Sequence, residues 1–140
     1  MGGNRGWWKL PERTASEREA KYRWREVRTV EGIKVLESKY QKNGALPRYS
    51  NTPYTKYFHQ NSKGNIDQLR IFRGQNSFLD IDWGHGHGSI PKGTPHVQQW
   101  KFDSKTQTLT RIGTERPMSD YMWKKYGKAI MKADPNVKRK

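Results

Sequence analysis

The segment from Leu79 to Trp100 limits what this chain can fold into more than any other part of it. Apolar residues close it at both ends, Phe78 and Ile81 on one side and Val97 and Trp100 on the other. Between them lie Gly84, Gly86, Gly88 and Gly93, the histidines His85, His87 and His96, the carboxylates Asp80 and Asp82, and Lys92. That order reads as strand, flexible polar loop, strand. Glycine lets the backbone take positive φ and approach a ligand closely. Histidine both gives and takes a proton near neutral pH. A fold built on two such strands gathers the reactive groups of the loop at one end of a sheet.

Short strands and turns continue on both sides. Tyr54 to Gln60, Ile66 to Arg73, Ser77 to Trp83, His96 to Phe102 and Thr108 to Ile112 read as strands, separated by Asn61–Asn65, Gly74–Asn76 and Asp103–Thr106 as turns. So regular a spacing predicts an antiparallel meander of four or five strands. Upstream, Thr14-Ala15-Ser16-Glu17 has capping-box form, and Ala20, Trp24, Val27 and Val30 recur at spacings of three and four. This predicts basic helices over 12–44, with Gly32 as a bend and Asn43-Gly44 as the stop. Downstream, Pro117 opens a second helix with Met118, Met122, Tyr126, Ala129, Ile130 and Ala133 on one face. The expectation is one α+β domain: lead-in 1–11 with Trp7 and Trp8 folded back, helical part 12–44, β-sheet 54–113, a C-terminal helix 117–133 packed on one face, and a basic tail 134–140.

Apolar residues make up only 31% of the 140, which leans toward disorder, but six Trp, seven Tyr and four Phe supply large buried areas. The net charge of +15 points to a polyanionic partner, nucleic acid first. There is no cysteine, which excludes disulfides, thiol nucleophiles and Cys-ligated zinc. No apolar run approaches ~18 residues, so no membrane insertion is expected. The N-terminus has neither a signal-peptide h-region nor a myristoylation pattern, since position 6 is Gly.

Three chemistries suit the loop. In the first, two of His85, His87 and His96 act as general base and acid in RNA strand cleavage, with Lys92 and an arginine (Arg70, Arg73 or Arg111) stabilising charge on phosphorus. In the second, His85, His87, His96 and Asp82 bind a divalent transition metal. In the third, the loop is structural. Arg70, Arg73, Trp83, Trp100, Lys101 and Arg111 are the candidate nucleic-acid contacts, the tryptophans by stacking. Strand alternation turns Leu79, Ile81 and Trp83 to the core and Asp80 and Asp82 to the opposite face. Asp82, nearer the loop, is expected to orient a histidine, and Asp80 to hold Arg70 or Arg73. His59 lies outside the loop and is expected to tolerate substitution.

The run QLRIFRGQNSFLDIDWGHGH, followed by GTPHVQQW, resembles domains at the C-termini of phage structural proteins and bacterial polymorphic toxins. Those carry a strand of the form (K/R)xYdxxGxxxxDIDyxxHG and then PHxHxW. Asp80-Ile81-Asp82, His85-Gly86, Pro95-His96 and Trp100 match, while Gln98 stands where the pattern has a second histidine. The resemblance covers about residues 54 to 112. It implies a delivered toxin domain that acts on nucleic acid in the bacterial cytoplasm and is neutralised by an acidic immunity protein. Joined to the residue chemistry, the expectation is a metal-independent endoribonuclease that needs no cofactor. The alternatives are a non-enzymatic nucleic-acid-binding or virion-associated protein and a metal-dependent nuclease.

Overall fold

The structure is a computed structural model that describes residues 24–38, 46–50 and 52–139. Among the described residues seven strands form one sheet in chain order: β1 (Trp24–Val30), β2 (Ile33–Ser38), β3 (Lys56–Gln60), β4 (Ile66–Arg73), β5 (Asn76–Asp82), β6 (His96–Asp103) and β7 (Thr108–Pro117). One helix follows, α1 (Asp120–Ala133). β3 to β7 pair antiparallel throughout, but β2 pairs with β3 in parallel, so the sheet is mixed.

This corrects the expected architecture. Among the described residues the sheet has seven strands, not four or five, and no helix precedes it. Within the stretch expected to be helical, residues 24–38 form a β-hairpin. Trp24, Val27 and Val30 obey helical spacing, yet the segment is rich in β-branched residues (Val27, Thr29, Val30, Ile33, Val35), which favour strands. Glu31-Gly32 supplies the turn. Both residues have positive φ, 50° and 77°, as a two-residue type I′ hairpin loop requires. The Thr14–Glu17 capping box, the lead-in with Trp7 and Trp8, and Asn43-Gly44 lie outside the described residues.

The sheet has two faces of different chemistry. Val35, Phe58, Leu69, Ile81 and Val97, all fully buried, meet Met118, Met122, Tyr126, Ile130 and Val137 to form the main core. Opposite faces follow from the period of two. On the other side, Leu36, Tyr57 and Phe72 with Leu46, and Trp100 with Tyr49 and Leu109, make smaller apolar clusters around a row of polar residues.

The C-terminal helix begins later than its proline signal suggests. β7 runs through Pro117, and the N-cap is Ser119, whose hydroxyl accepts from the Met122 N–H. The expected basic tail is docked, at least through Arg139: Val137 is buried, Lys138 N–H donates to Gly93 O at 2.9 Å, and Trp83 Nε1 donates to Asp134 Oδ2 at 3.2 Å. Among the described residues no helix is long and apolar enough to cross a membrane.

Candidate active site

Register builds the site. Across β3 to β6, His59 stands opposite Gln68, Gln68 opposite Asp82, and Asp82 opposite His96, which makes one polar row. One pair further along, Tyr57, Arg70, Asp80 and Gln98 make a second row. The loop between β5 and β6 then folds back over the first row. His87 and Ile90 exchange backbone hydrogen bonds (2.8 and 2.9 Å) around Gly88-Ser89, with Gly88 at φ 58°, the sense of a type II′ turn. The result brings all three loop histidines together. The His85 and His96 rings cross edge-on at 4.9 Å, and His87 stacks on His96 at 5.9 Å.

Each exposed imidazole has a carboxylate behind it. His85 Nδ1 lies 3.3 Å from Asp82 Oδ1, and His87 Nδ1 lies 3.4 Å from Glu115 Oε1. Glu115 Oε1 is also 2.9 Å from Nε2 of His96, whose side chain is only 2% exposed. That last contact is an ion-pair distance without aligned hydrogen-bond geometry, and Glu115 Oε1 is buried with no hydrogen-bond partner. A small cavity of about 50 Å³ sits here, lined by Gln68, Asp82, His85, His96, Arg111 and Glu115 among others.

Burial sets the protonation chemistry. It pushes the Asp82 carboxyl up to about 6, against the lowering pull of His85 and of the Gly84 N–H that Asp82 accepts at 2.9 Å. It pushes the His96 imidazole below the ordinary histidine value, opposed by the Glu115 carboxylate. Burial therefore favours the neutral imidazole at His96.

Glu115 was invisible to sequence reasoning, because the strand that carries it reads as ending at Ile112. In the structure β7 continues through a bulge. Gln99 pairs with Ile112 and Val97 with Arg116, so Gly113, Thr114 and Glu115 all stand opposite the single residue Gln98. Gly113 takes φ 74°, and the Gln98 amide donates to Ile112 O at 2.9 Å and to Gly113 O at 3.3 Å. Gln98, the departure from the resembled pattern, clamps the bulge that presents Glu115. The one sequence signal for it was Gly113 inside a strand-like run.

The remaining candidates divide. Arg111 lines the cavity, with its side chain 52% exposed and its guanidinium 5.1 Å above Trp100. Arg70 is fully buried. It donates Nε and Nη2 to the two oxygens of Asp80 (2.6 and 2.9 Å) and Nη1 to Leu46 O and Pro47 O, so it faces no substrate. Trp100 is buried against this pair and donates Nε1 to Asp80 Oδ2 at 2.8 Å. Trp83 is also buried, on the helix side, with Nε1 bonded to Ile66 O, so neither tryptophan offers a stacking face. Lys92 lies in a different cleft, with Asn61, Lys63, Asp67 and Asn136, and is not among the residues around the histidines. Arg73 stands over Phe78 at 5.3 Å, about 17 Å along β4 from Gln68 at ~3.4 Å per residue. Lys101 is exposed on β6. His59, expected to be tolerant, is buried with Nδ1 2.6 Å from Asp67 Oδ1, so its replacement costs stability.

For a metal, the set the structure brings together is Asp82, His85 and His96, with one ligand atom from each within 4.8 Å of the others. His87 is not part of it. The chain matches no protein-family model, no curated protein and no solved structure.

Proposed function

We propose that this chain is a nucleic-acid-targeting toxin domain that cleaves RNA without a metal, by general acid–base catalysis between His85 and His87. The observation that carries this reading is their matched environment. Each imidazole sets Nδ1 toward a carboxylate, Asp82 or Glu115, and leaves Nε2 without a hydrogen-bond partner among the described residues. A carboxylate behind Nδ1 fixes tautomer and ring orientation and stabilises the imidazolium that forms. One Nε2 takes the proton of the ribose 2′-hydroxyl as its oxygen attacks phosphorus. The other gives a proton to the departing 5′-oxygen as the P–O5′ bond breaks. The products are a 2′,3′-cyclic phosphate and a 5′-hydroxyl. Arg111, at the rim, offsets the negative charge that builds on the phosphorane. His96 is a positioning residue beneath the pair.

The net charge of +15 supports a polyanionic substrate and an acidic partner, and the toxin resemblance supports delivery into a bacterial cytoplasm and an immunity protein as that partner. The test is incubation of the full chain with total RNA, with and without EDTA, followed by end-group analysis. Cleavage that survives EDTA and leaves 2′,3′-cyclic ends is expected. His85→Ala and His87→Ala should each lower the rate by ~10²–10⁴ with thermal melts unchanged. Salt-sensitive RNA binding with no cleavage overturns the reading in favour of a non-enzymatic nucleic-acid-binding protein.

A further inference from the structure

The group Asp82, His85 and His96 has the composition of a metal site as well as of an acid–base site, and its construction favours the cation. Asp82 and His96 sit directly opposite each other on β5 and β6, so the sheet fixes two of the three ligands. His85, 60% exposed between Gly84 and Gly86, is the ligand with freedom to move. The three atoms lie within 4.8 Å of one another. Tetrahedral binding with ~2.0–2.1 Å bonds needs roughly 3.3–3.5 Å between ligand atoms, a closure that one mobile loop side chain can make.

A second observation points the same way. Glu115 Oε1 is buried with no hydrogen-bond partner, and His96 Nε2 faces it at 2.9 Å without an aligned N–H. Buried polar atoms left in this state are costly, and a cation shared by the imidazole and the carboxylates relieves that cost. Two imidazole nitrogens with carboxylate oxygens suit zinc and its neighbours in the first transition row rather than magnesium or calcium, which prefer oxygen alone.

We propose that Asp82, His85 and His96, with Glu115 beside them, form a site for a divalent transition metal, and that filling it shuts the histidine pair down. The metal takes a lone pair of His85 and the carboxylate that orients it, so His85 can no longer exchange a proton. The binding half stands alone; the inhibitory half rests on the acid–base reading above.

The test uses the tag-free full chain, stripped with EDTA and dialysed, with zinc chloride as the probe. Calorimetry should show one zinc per chain. His85→Ala and Asp82→Asn should each weaken binding at least tenfold, whereas His87→Ala should retain it. These variants change a loop residue and a half-buried acid, so a melt of each confirms that it is folded. RNA cleavage should fall along the zinc binding curve and return on adding EDTA. No stoichiometric binding, or equal binding by His85→Ala and Asp82→Asn, overturns the site. Binding with unchanged cleavage overturns the inhibition. Binding that instead switches cleavage on keeps the site and overturns the metal-independent reading, and binding by a chain that cleaves no RNA overturns the nuclease reading alone.

Discussion

Asp80 and Asp82 lie two residues apart on one strand and one face, and the fold uses them in opposite ways. Asp80 is 1% exposed, and its two oxygens accept three charged or indole N–H groups, two from Arg70 and one from Trp100. Asp82 keeps its side chain 23% exposed and has one backbone donor, Gly84 N–H, with His85 beside it. The first is a completed buried ion pair, bonded further to Leu46 O and Pro47 O through Arg70. The second is an incompletely satisfied carboxylate, raised to about 6 by burial. A buried pair with four of the five guanidinium N–H groups placed holds a fold in one arrangement, whereas an acid poised near neutral pH can trade protons or ligands.

The largest expected effect breaks the first member. Asp80→Asn leaves the Arg70 guanidinium buried beside a neutral amide, and removing one partner of such a pair costs about 3–5 kcal/mol. Urea unfolding should show a loss of that size. Replacing Arg70 and Asp80 together with leucine should cost less than Asp80→Asn alone, because no buried charge is left uncompensated; Arg111, 3.6 Å from Asp80 Oδ2, is half exposed. A loss below about 1 kcal/mol for Asp80→Asn would show that the pair does not hold the two strands together.

The next effect belongs to Asp82, and its sign reverses. The folded carboxyl sits at about 6, above its ordinary 3.8. Its contribution to stability is therefore present below pH 4 and lost as pH rises through 6. The groups facing it are His85, His96, Asp67 and Asp80, with Glu115 and Arg111 across the cavity. Asp82→Asn removes the ionisation, so in EDTA its stability should gain on the native chain between pH 4 and pH 7, by about 3 kcal/mol as an upper figure at ~1.4 kcal/mol per pKa unit. Melts at four pH values check this, and a difference constant across the range would remove the perturbed acid from the account. RNA cleavage by the same variant should fall at least tenfold.

The histidine cluster was legible in the sequence because a hairpin in register forces it: alternation put Asp80 and Asp82 on one face, and the loop had to return through His96. Arg70 against Asp80 followed from the same alternation. Several residues were misread for physical reasons. Trp83 lies in the core, as its alternation with Leu79 and Ile81 predicts, and that placement is what excludes the stacking role, because its N–H finds Ile66 O and Asp134 there. Lys92 shares the loop with the histidines, yet it lines a separate cleft. The hairpin of β1 and β2 was hidden because Trp24, Val27 and Val30 satisfy a helical period by coincidence. The parallel pairing of β2 with β3 leaves no mark on either strand, since register across a long connection is a tertiary outcome.

The smallest expected effect joins the two halves of the comparison. Gln98 is the cross-strand partner of Asp80, so its position belongs to the structural row. Its amide, however, donates to Ile112 O and Gly113 O, and so it serves Glu115 and the histidine row. Gln98→Ala removes two hydrogen bonds at a bulge, one of them long, and should cost about 1–2 kcal/mol of stability at ~0.5–1.5 kcal/mol per bond. The fold should survive, because the Arg70–Asp80 pair and the main core are untouched. Activity should fall further than that loss of stability explains. Without the clamp, the three residues from Gly113 to Glu115 can relax, and Glu115 loses its approach to both His87 and His96. Gln98→Glu supplies the control, since it keeps the side-chain length, removes the donor and adds a charge near Asp80. If Gln98→Ala melts lower but the folded variant cleaves RNA at the native rate, the bulge is structural and Glu115 is not held by Gln98.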